Sequence, residues 1–181
     1  RLRAETPVLR VKSVGRTFLT KAVDTRAVKD NPELFSSNDP NTPMKRAFNA
    51  HTLMRKDGEE HMRERSAMMP TFSPKNLKTL WGPLYTEHAN AYLDRLPRDE
   101  VIDLFPSLAG PLAARVLADI LGLPSASDEE MQFWSQALID GAGNFGWAPE
   151  PFERVDKANA QMDRLIAKQA EILKENPDQS A

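Results

Sequence analysis

The sequence predicts a mainly α protein with a small β-sheet element near the N-terminus. Three observations carry this. β-rich runs cluster in the first 22 residues, in PVLRV (7–11) and RTFLTKA (16–22). Beyond residue 57, apolar residues recur at helical spacing through most of the chain. Two capping-box patterns, Asp57 with Glu60 and Ser127 with Glu130, precede such runs.

The elements follow in order. KSVG joins the two β-rich runs and predicts a hairpin. A short helix over roughly 22–30 has Val23, Ala27 and Val28 on one side, and Pro32 stops it because Asn31 is disfavoured in helix. Residues 36–56 form a long, turn-rich connection carrying Met44, Phe48, Leu53 and Met54. Asp57 opens a helix that Pro70 ends, and Ser73-Pro74 starts another, with a break expected at Gly82-Pro83. EVIDL (100–104) reads as a lone strand. Leu108, Leu112, Val116, Leu117, Ile120 and Leu121 mark a central helix closed by Gly122 and Pro124. A helix opening at Ser127 turns Met131, Trp134, Leu138 and Ile139 inward. After the glycine- and aromatic-rich loop 141–151, a last helix over about 151–174 carries Val155, Ala158, Met162, Leu165, Ile166, Gln169 and Leu173.

Composition narrows the function. With 24 Lys and Arg against 26 Asp and Glu, the net charge of -2 argues against a nucleic-acid partner. Cysteine is absent, which excludes disulfides, thiolate metal sites and cysteine nucleophiles within this chain, and the three histidines are dispersed rather than clustered at metal-ligand spacing. The most apolar window, 101–124, carries Asp103, Arg115 and Asp119 and reads as a buried helix rather than a membrane span. The expectation is a cytoplasmic protein with no membrane partner. Arg1 at the start and NPDQSA at the end suggest a piece of a longer protein.

The segment EEHMRERSAMMPTFSP (59–74) holds the chemistry. Arg63 has Glu59 four residues and Glu60 three residues before it, so its own helix can neutralise it. Arg65 instead has His61, Met62, Met68 and Met69 at those spacings. A guanidinium beside an apolar face needs an anion from elsewhere. Either another segment supplies a carboxylate or a ligand does. Two donors one turn apart suit a bound carboxylate better than either alone.

DGEEHMRERSAMMPTFSPKNL (57–77) resembles the C-helix segment of bacterial cytochromes P-450, the haem-thiolate monooxygenases. Asp57, His61, Arg65, Phe72, Ser73 and Pro74 fit the family pattern Asp-x-x-x-His-x-x-x-Arg followed by Phe-Ser/Thr-Pro. TPVLRV and GRTFLTKAVDTRAVKDNPELFSS resemble its first hairpin and B helix, VIDLFPSLAGPLAARVLADILGLP its E helix, and 127–140 and 151–174 its helices F and G. The resemblance implies the N-terminal part of the cytochrome P-450 fold, as a single domain over 1–181. It implies that His61 and Arg65 bind the propionates of haem b. It implies that residues 38–56 form the B–C loop over the distal pocket. Phe48, His51, Leu53 and Met54 would then contact substrate, Leu53 and Met54 nearest the haem, with Asn49 or His51 as polar anchors. Asn144, Phe145 and Trp147 would line the access route; for Phe145 and Trp147 a plain hydrophobic lid contact is the other reading. Arg55, Lys56 and Arg63 would lie toward the face that accepts a ferredoxin-type electron donor, or else form a solvated charge cluster.

The departures from the family are large. The chain lacks the axial cysteine that pushes electron density for O–O cleavage, the Gly-x-Asp/Glu-Thr element and the Glu-x-x-Arg pair. In the family all of these follow helix G. The expectation is truncation, with no catalytic residue and no metal ligand in this segment and an apolar face left for the remaining C-terminal part of the enzyme. Full length, it would use O2 and ferredoxin-borne electrons to oxidise an apolar organic small molecule. The alternative is a non-catalytic helical interaction module on the same scaffold without haem.

Overall fold

A computed structural model describes residues 1–175; the closing NPDQSA lies outside the described residues. Eleven numbered elements organise them. A short turn of helix, α1 (Leu2–Glu5), precedes β1 (Val8–Val11) and β2 (Arg16–Leu19), then come α2 (Ala22–Lys29), α3 (Met44–Phe48), α4 (Gly58–Met68), α5 (Pro74–Asn76), α6 (Gly82–Leu93), α7 (Gly110–Ile120), α8 (Asp128–Ala142) and α9 (Pro149–Glu175). The described fold is mainly α with one two-stranded sheet, as the sequence predicts.

The hairpin is antiparallel, with Val8 opposite Leu19 and Val11 opposite Arg16. Its turn is a 3-10 stretch, Lys12–Val14, closed by Gly15 at φ +62°, a conformation that only glycine adopts cheaply. α2 forms where expected but leaves Val23 on the surface.

The core lies between α7, α8 and α9. Ala114 and Ala118 of α7, Met131, Trp134 and Ala137 of α8 and Ala158 of α9 are buried together, with Leu123 and Ala126 from the α7–α8 connection. Alanines at the contacts let the helix axes approach closely, and the single large ring, Trp134, fills the space between them. Its Nε1 donates to Gln161 Oε1 at 2.8 Å, so the buried ring leaves no orphan donor. The Ser127–Glu130 capping box forms in both directions, at 3.1 and 2.9 Å.

Several expectations are corrected. α7 buries Leu112, Ala114 and Ala118, while Leu117 and Leu121 face outward. Ile139 of α8 and Ile166 of α9 are likewise exposed. EVIDL forms no strand: residues 100–103 are irregular and Val101 is fully exposed. β propensity without a neighbouring strand leaves every ladder group unpaired, and Leu104 already takes helical angles at the entry to the next turn.

Gly82-Pro83 does not break its helix. Leu77–Trp81 forms a π turn in which the Gly82 amide donates to the Leu77 carbonyl, and α6 continues from it. Gly110-Pro111 repeats the device after the π turn Phe105–Ala109, where the Gly110 amide donates to Phe105. In a regular α-helix a proline ring strikes the carbonyl four residues back. Widening the preceding turn by one residue draws that ladder apart, and the missing proline N–H falls where the pattern shifts anyway. The glycine is needed too: a Cβ at Gly82 would sit 2.9 Å from the Leu77 carbonyl oxygen.

Candidate functional site

α4 carries the two side chains that the sequence singles out. Its start differs from expectation. Asp57 precedes α4 but its carboxylate makes no cap. It accepts instead from Ser36 Oγ at 2.9 Å and Ser37 N at 2.7 Å, tying the helix start back across the preceding connection. Hydrogen bonds from Ser37 first, and from Ser36, hold the Asp57 carboxyl below its ordinary range. Glu60, the expected capping-box partner, is 2.8 Å from Lys56 Nζ. The same ammonium also pairs with Glu64.

This settles how the charges of α4 divide. Glu60 and Glu64 are one turn apart and both serve Lys56, whose side chain is 10% exposed. The bonds to Glu60 and then Glu64 raise the Lys56 pKa. His61 and Arg65 sit on the next stripe, rotated by about 100°. Among the described residues neither side chain has a hydrogen bond or an ion pair. Arg63 gains no ion pair either, contrary to the pairing its spacing suggests: Glu60 goes to Lys56, and Glu59 makes no ion pair among the described residues. Beside Arg65, Met62, Met68 and Met69 are half-exposed. The face is therefore cationic, apolar and unpaired.

The turn after α4 is firmly held. Ser73 Oγ accepts from Asn76 N at 3.2 Å with Pro74 at the first position of α5, as its sequence predicts. Trp81 Nε1 donates to Thr71 O at 2.8 Å and Asn76 Nδ2 to Pro70 O at 2.9 Å. α4 thus has a fixed exit while one of its faces stays open.

The connection 36–56 is more ordered than a loop. It contains α3 and a 3-10 turn, Leu53–Arg55. Arg55 is 5% exposed and donates to the Asp39 carbonyl and to Asn38 Oδ1, so it is no member of a solvated charge cluster. His51 Nε2 donates to the Arg55 carbonyl at 2.9 Å. Leu53 and Met54 share a cavity of 280 Å³ with Lys29, Asp57 and His61. Phe48 ends α3 half-buried, and Asn49 follows with φ +47°.

The α8–α9 loop lies elsewhere. Asn144 spends its amide within the loop, donating to Ala148 O at 2.7 Å and accepting from Ala148 N at 3.1 Å. This turn carries Trp147 at φ +55° and sets its ring 5.7 Å from Phe152. The Arg16 guanidinium lies 5.4 Å from the Phe145 centroid. Phe145 lines an 870 Å³ cavity with hairpin residues 13–18 and Asn41. The structure brings Leu53, Met54 and His61 together and gathers Phe145 with the hairpin; these are two separate places. Sequence reading missed Arg16, Arg46 and Asp156, which link remote segments and carry no local signal.

No protein-family model matches the chain. The polyketide biosynthesis cytochrome P450 PksS of Bacillus subtilis (strain 168) is 28% identical over 93 residues, 51% of this chain and 23% of the relative. The putative cytochrome P450 YjiB of the same organism is 25% identical over 158 residues, 86% of this chain and 39% of the relative. The solved ligand-free structure of cytochrome P450 TbtJ1 superposes with a TM-score of 0.75 at 23% identity, covering 99% of this chain and 45% of that one. The chain spans less than half the length of each of these proteins.

Proposed function

We propose that this chain, which carries the N-terminal portion of the cytochrome P450 fold, is the part of a haem-dependent monooxygenase that grips the haem edge and covers its substrate side. The monooxygenase family and its haem come from the relatives; the substrate, the electron donor and the contacts made by this segment are our reading. One observation carries it: His61 and Arg65, one turn apart on α4, lack any partner within the described residues. Glu60 and Glu64 of their helix are spent on Lys56, and Asp57, one turn before His61, on Ser36 and Ser37. A pair of propionates is a dianion with an apolar body, and it matches a stripe that offers the Arg65 guanidinium and a His61 ring N–H, flanked by Met62, Met68 and Met69.

When bound, haem would supply O2 activation through an iron whose cysteine ligand this chain does not contain. The residues of this chain do the rest. Arg65 would hold one carboxylate by its fork, and His61 would donate to the same edge. Leu53 and Met54, in the cavity that reaches His61, would exclude water and present an apolar wall to substrate. Phe48 and His51 would border that wall; His51 has Nδ1 left for a polar substrate group, since Nε2 is spent on Arg55. Asn144, Phe145 and Trp147 would shape the approach from the hairpin side. On the family likeness we read the substrate as an apolar organic small molecule, with Leu53 and Met54 the apolar part of a cavity that Lys29, Ser37, Lys56 and Asp57 also line, and the electron donor as a ferredoxin-type protein. We read residues 1–181 as one domain completed by a C-terminal part.

Arg65→Ala in the full-length protein, titrated with haem, tests the reading. Haem retention should fall about tenfold or more, since a charged hydrogen bond of this kind is lost, and the redox potential should shift. Unchanged retention and potential would sink the assignment. The alternative, a helical interaction module without haem, requires that no haem is taken up at all.

A further inference from the structure

The chain has seven methionines and no cysteine, so all of its oxidisable sulfur is thioether. Its placement is uneven. Met44 and Met162 are half-buried, and Met131 lies in the α7–α9 core, 4% exposed. The other four are open, and all four lie at the candidate site. Met54 shares a cavity with His61, and Met62, Met68 and Met69 lie along α4 or at its end. Exposure decides which thioether an oxidant reaches first.

Two of the four have a neighbour that gives oxidation a consequence. Met68 is three residues and Met69 four residues beyond Arg65, the spacings at which side chains meet on a helix. Met69 keeps the helical register: its backbone stands at φ −56° and ψ −37°, and its amide donates to the Arg65 carbonyl at 3.0 Å. Met68 returns to within about 20° of His61 around the helix. The bonds of Trp81 to Thr71 and of Asn76 to Pro70 fix the exit just beyond, so these neighbours keep their places. A thioether sulfur is a weak acceptor, and Arg65 makes no hydrogen bond or ion pair among the described residues. A sulfoxide is polar, with an oxygen that accepts readily, and a guanidinium has N–H donors to give it.

We propose that Met68 and Met69 are a peroxide-responsive switch: hydrogen peroxide converts their thioethers to sulfoxides, whose oxygens take the N–H donors of Arg65 and displace a carboxylate held there. In the oxidation, the sulfur lone pair attacks one peroxide oxygen. An S–O bond forms and the O–O bond breaks. The transferred oxygen gives its proton to the other, which leaves as water. Sulfur loses two electrons and the peroxide gains them. A thiol-dependent methionine sulfoxide reductase reverses the change, two thiols becoming a disulfide as the oxygen departs as water. Oxidation also turns the apolar flank of the stripe polar. The inference deepens the proposed function, resting on its reading of Arg65 as a propionate contact, and adds a regulation of that contact.

The full-length protein is treated with hydrogen peroxide, which catalase then removes. Mass spectrometry of the peptides reads sulfoxide at each methionine. Met68 and Met69 should oxidise about tenfold faster than Met131, or more. Transfer of the remaining intact haem to apomyoglobin should become about fivefold faster, as a charged hydrogen bond is lost. Reductase with dithiothreitol should restore the original rate, which destruction of haem by peroxide would not allow. In the Met68→Leu/Met69→Leu double variant, judged against its own untreated rate, peroxide should leave transfer unchanged. Equal oxidation of Met68, Met69 and Met131 would overturn the switch. So would an acceleration that persists in the double variant or resists the reductase. Should the double variant fail to fold, reversal by the reductase in the parent protein still decides. Modification of Arg65 by phenylglyoxal reads the same capture without haem: in haem-free protein, oxidation should slow it about fivefold relative to Arg63. A protein that takes up no haem yet shows this slowing keeps the switch and loses the haem reading. A protein that loses haem retention with Arg65→Ala, but whose haem transfer ignores oxidised Met68 and Met69, keeps the haem reading and overturns the switch.

Discussion

Two of the histidine–arginine pairs among the described residues, the one at Asp119 and the one on α4, live opposite lives. In the first, His88 Nε2 lies 2.6 Å from Asp119, and Arg115 reaches Asp119 at 3.3 Å, the Ala126 carbonyl at 3.0 Å and Asp128 at 4.0 Å. Tyr92 donates to Asp128 from the other side, and Arg95 lies 4.8 Å from the Tyr92 centroid. This knot joins α6, α7 and the start of α8, and its side chains are about four-fifths buried. In the second, His61 and Arg65 share one open stripe and make no hydrogen bond or ion pair among the described residues. The first pair shows that the chain can neutralise cations where it needs to. The second is then an omission with a purpose, because a cation left unpaired beside apolar surface suits an anion that is not part of these helices.

Breaking the first knot should give the largest effect. Arg115→Ala removes the only formal cation lying between Asp119 and Asp128, leaving Asp119 to His88 and Asp128 to Tyr92 and taking the donor from the Ala126 carbonyl, and should cost on the order of 3 kcal/mol in urea unfolding. Next is alkaline pH. Burial first, then Asp128, pushes the Tyr92 hydroxyl up to about 12. The folded pKa is raised, so the stability is complete below the unfolded value of about 10 and lost as pH rises toward about 12. The loss should be about 2 kcal/mol over that window, and Tyr92→Phe should flatten it. His88→Ala should cost about 1 kcal/mol, since Arg115 still covers Asp119. Smallest of all is Arg65→Ala, which should move stability by less than about 0.5 kcal/mol. A large destabilisation there would erase the contrast, because it would mean that Arg65 has a structural partner.

Legibility follows the range of the interaction. The Ser127–Glu130 box was readable because both bonds close within three residues. The same pattern at Asp57 and Glu60 misled, because Ser36, Ser37 and Lys56 compete from outside the helix and win. That Arg65 has no partner on its own helix was legible from its neighbours, but whether another segment would pair it was not; the pairing expected for Arg63 fails although Lys56 takes only Glu60 of its two candidates. The strand expected at 100–104 failed for lack of a partner strand, which propensity does not report. The outward turn of Leu117, Leu121, Ile139 and Ile166 was hidden for a different reason. Helical spacing finds an apolar stripe but not which of two stripes the alanines of α7 and α9 will bury.

The paired π turns bear on how these helices tolerate changes of length. Each holds one residue more than a regular turn needs, so each is a slack joint in an otherwise fixed count. A one-residue deletion within 77–81 or 105–109 would restore an ordinary turn and keep the flanking faces in phase. The same deletion elsewhere in α6 or α7 would rotate everything beyond it by about 100°. The cost of the deletion would fall on Pro83 or Pro111, whose ring would meet a carbonyl again. In each helix the Gly-Pro pair acts as a lock on that slack, and replacing the proline by alanine in the shortened helix should release it.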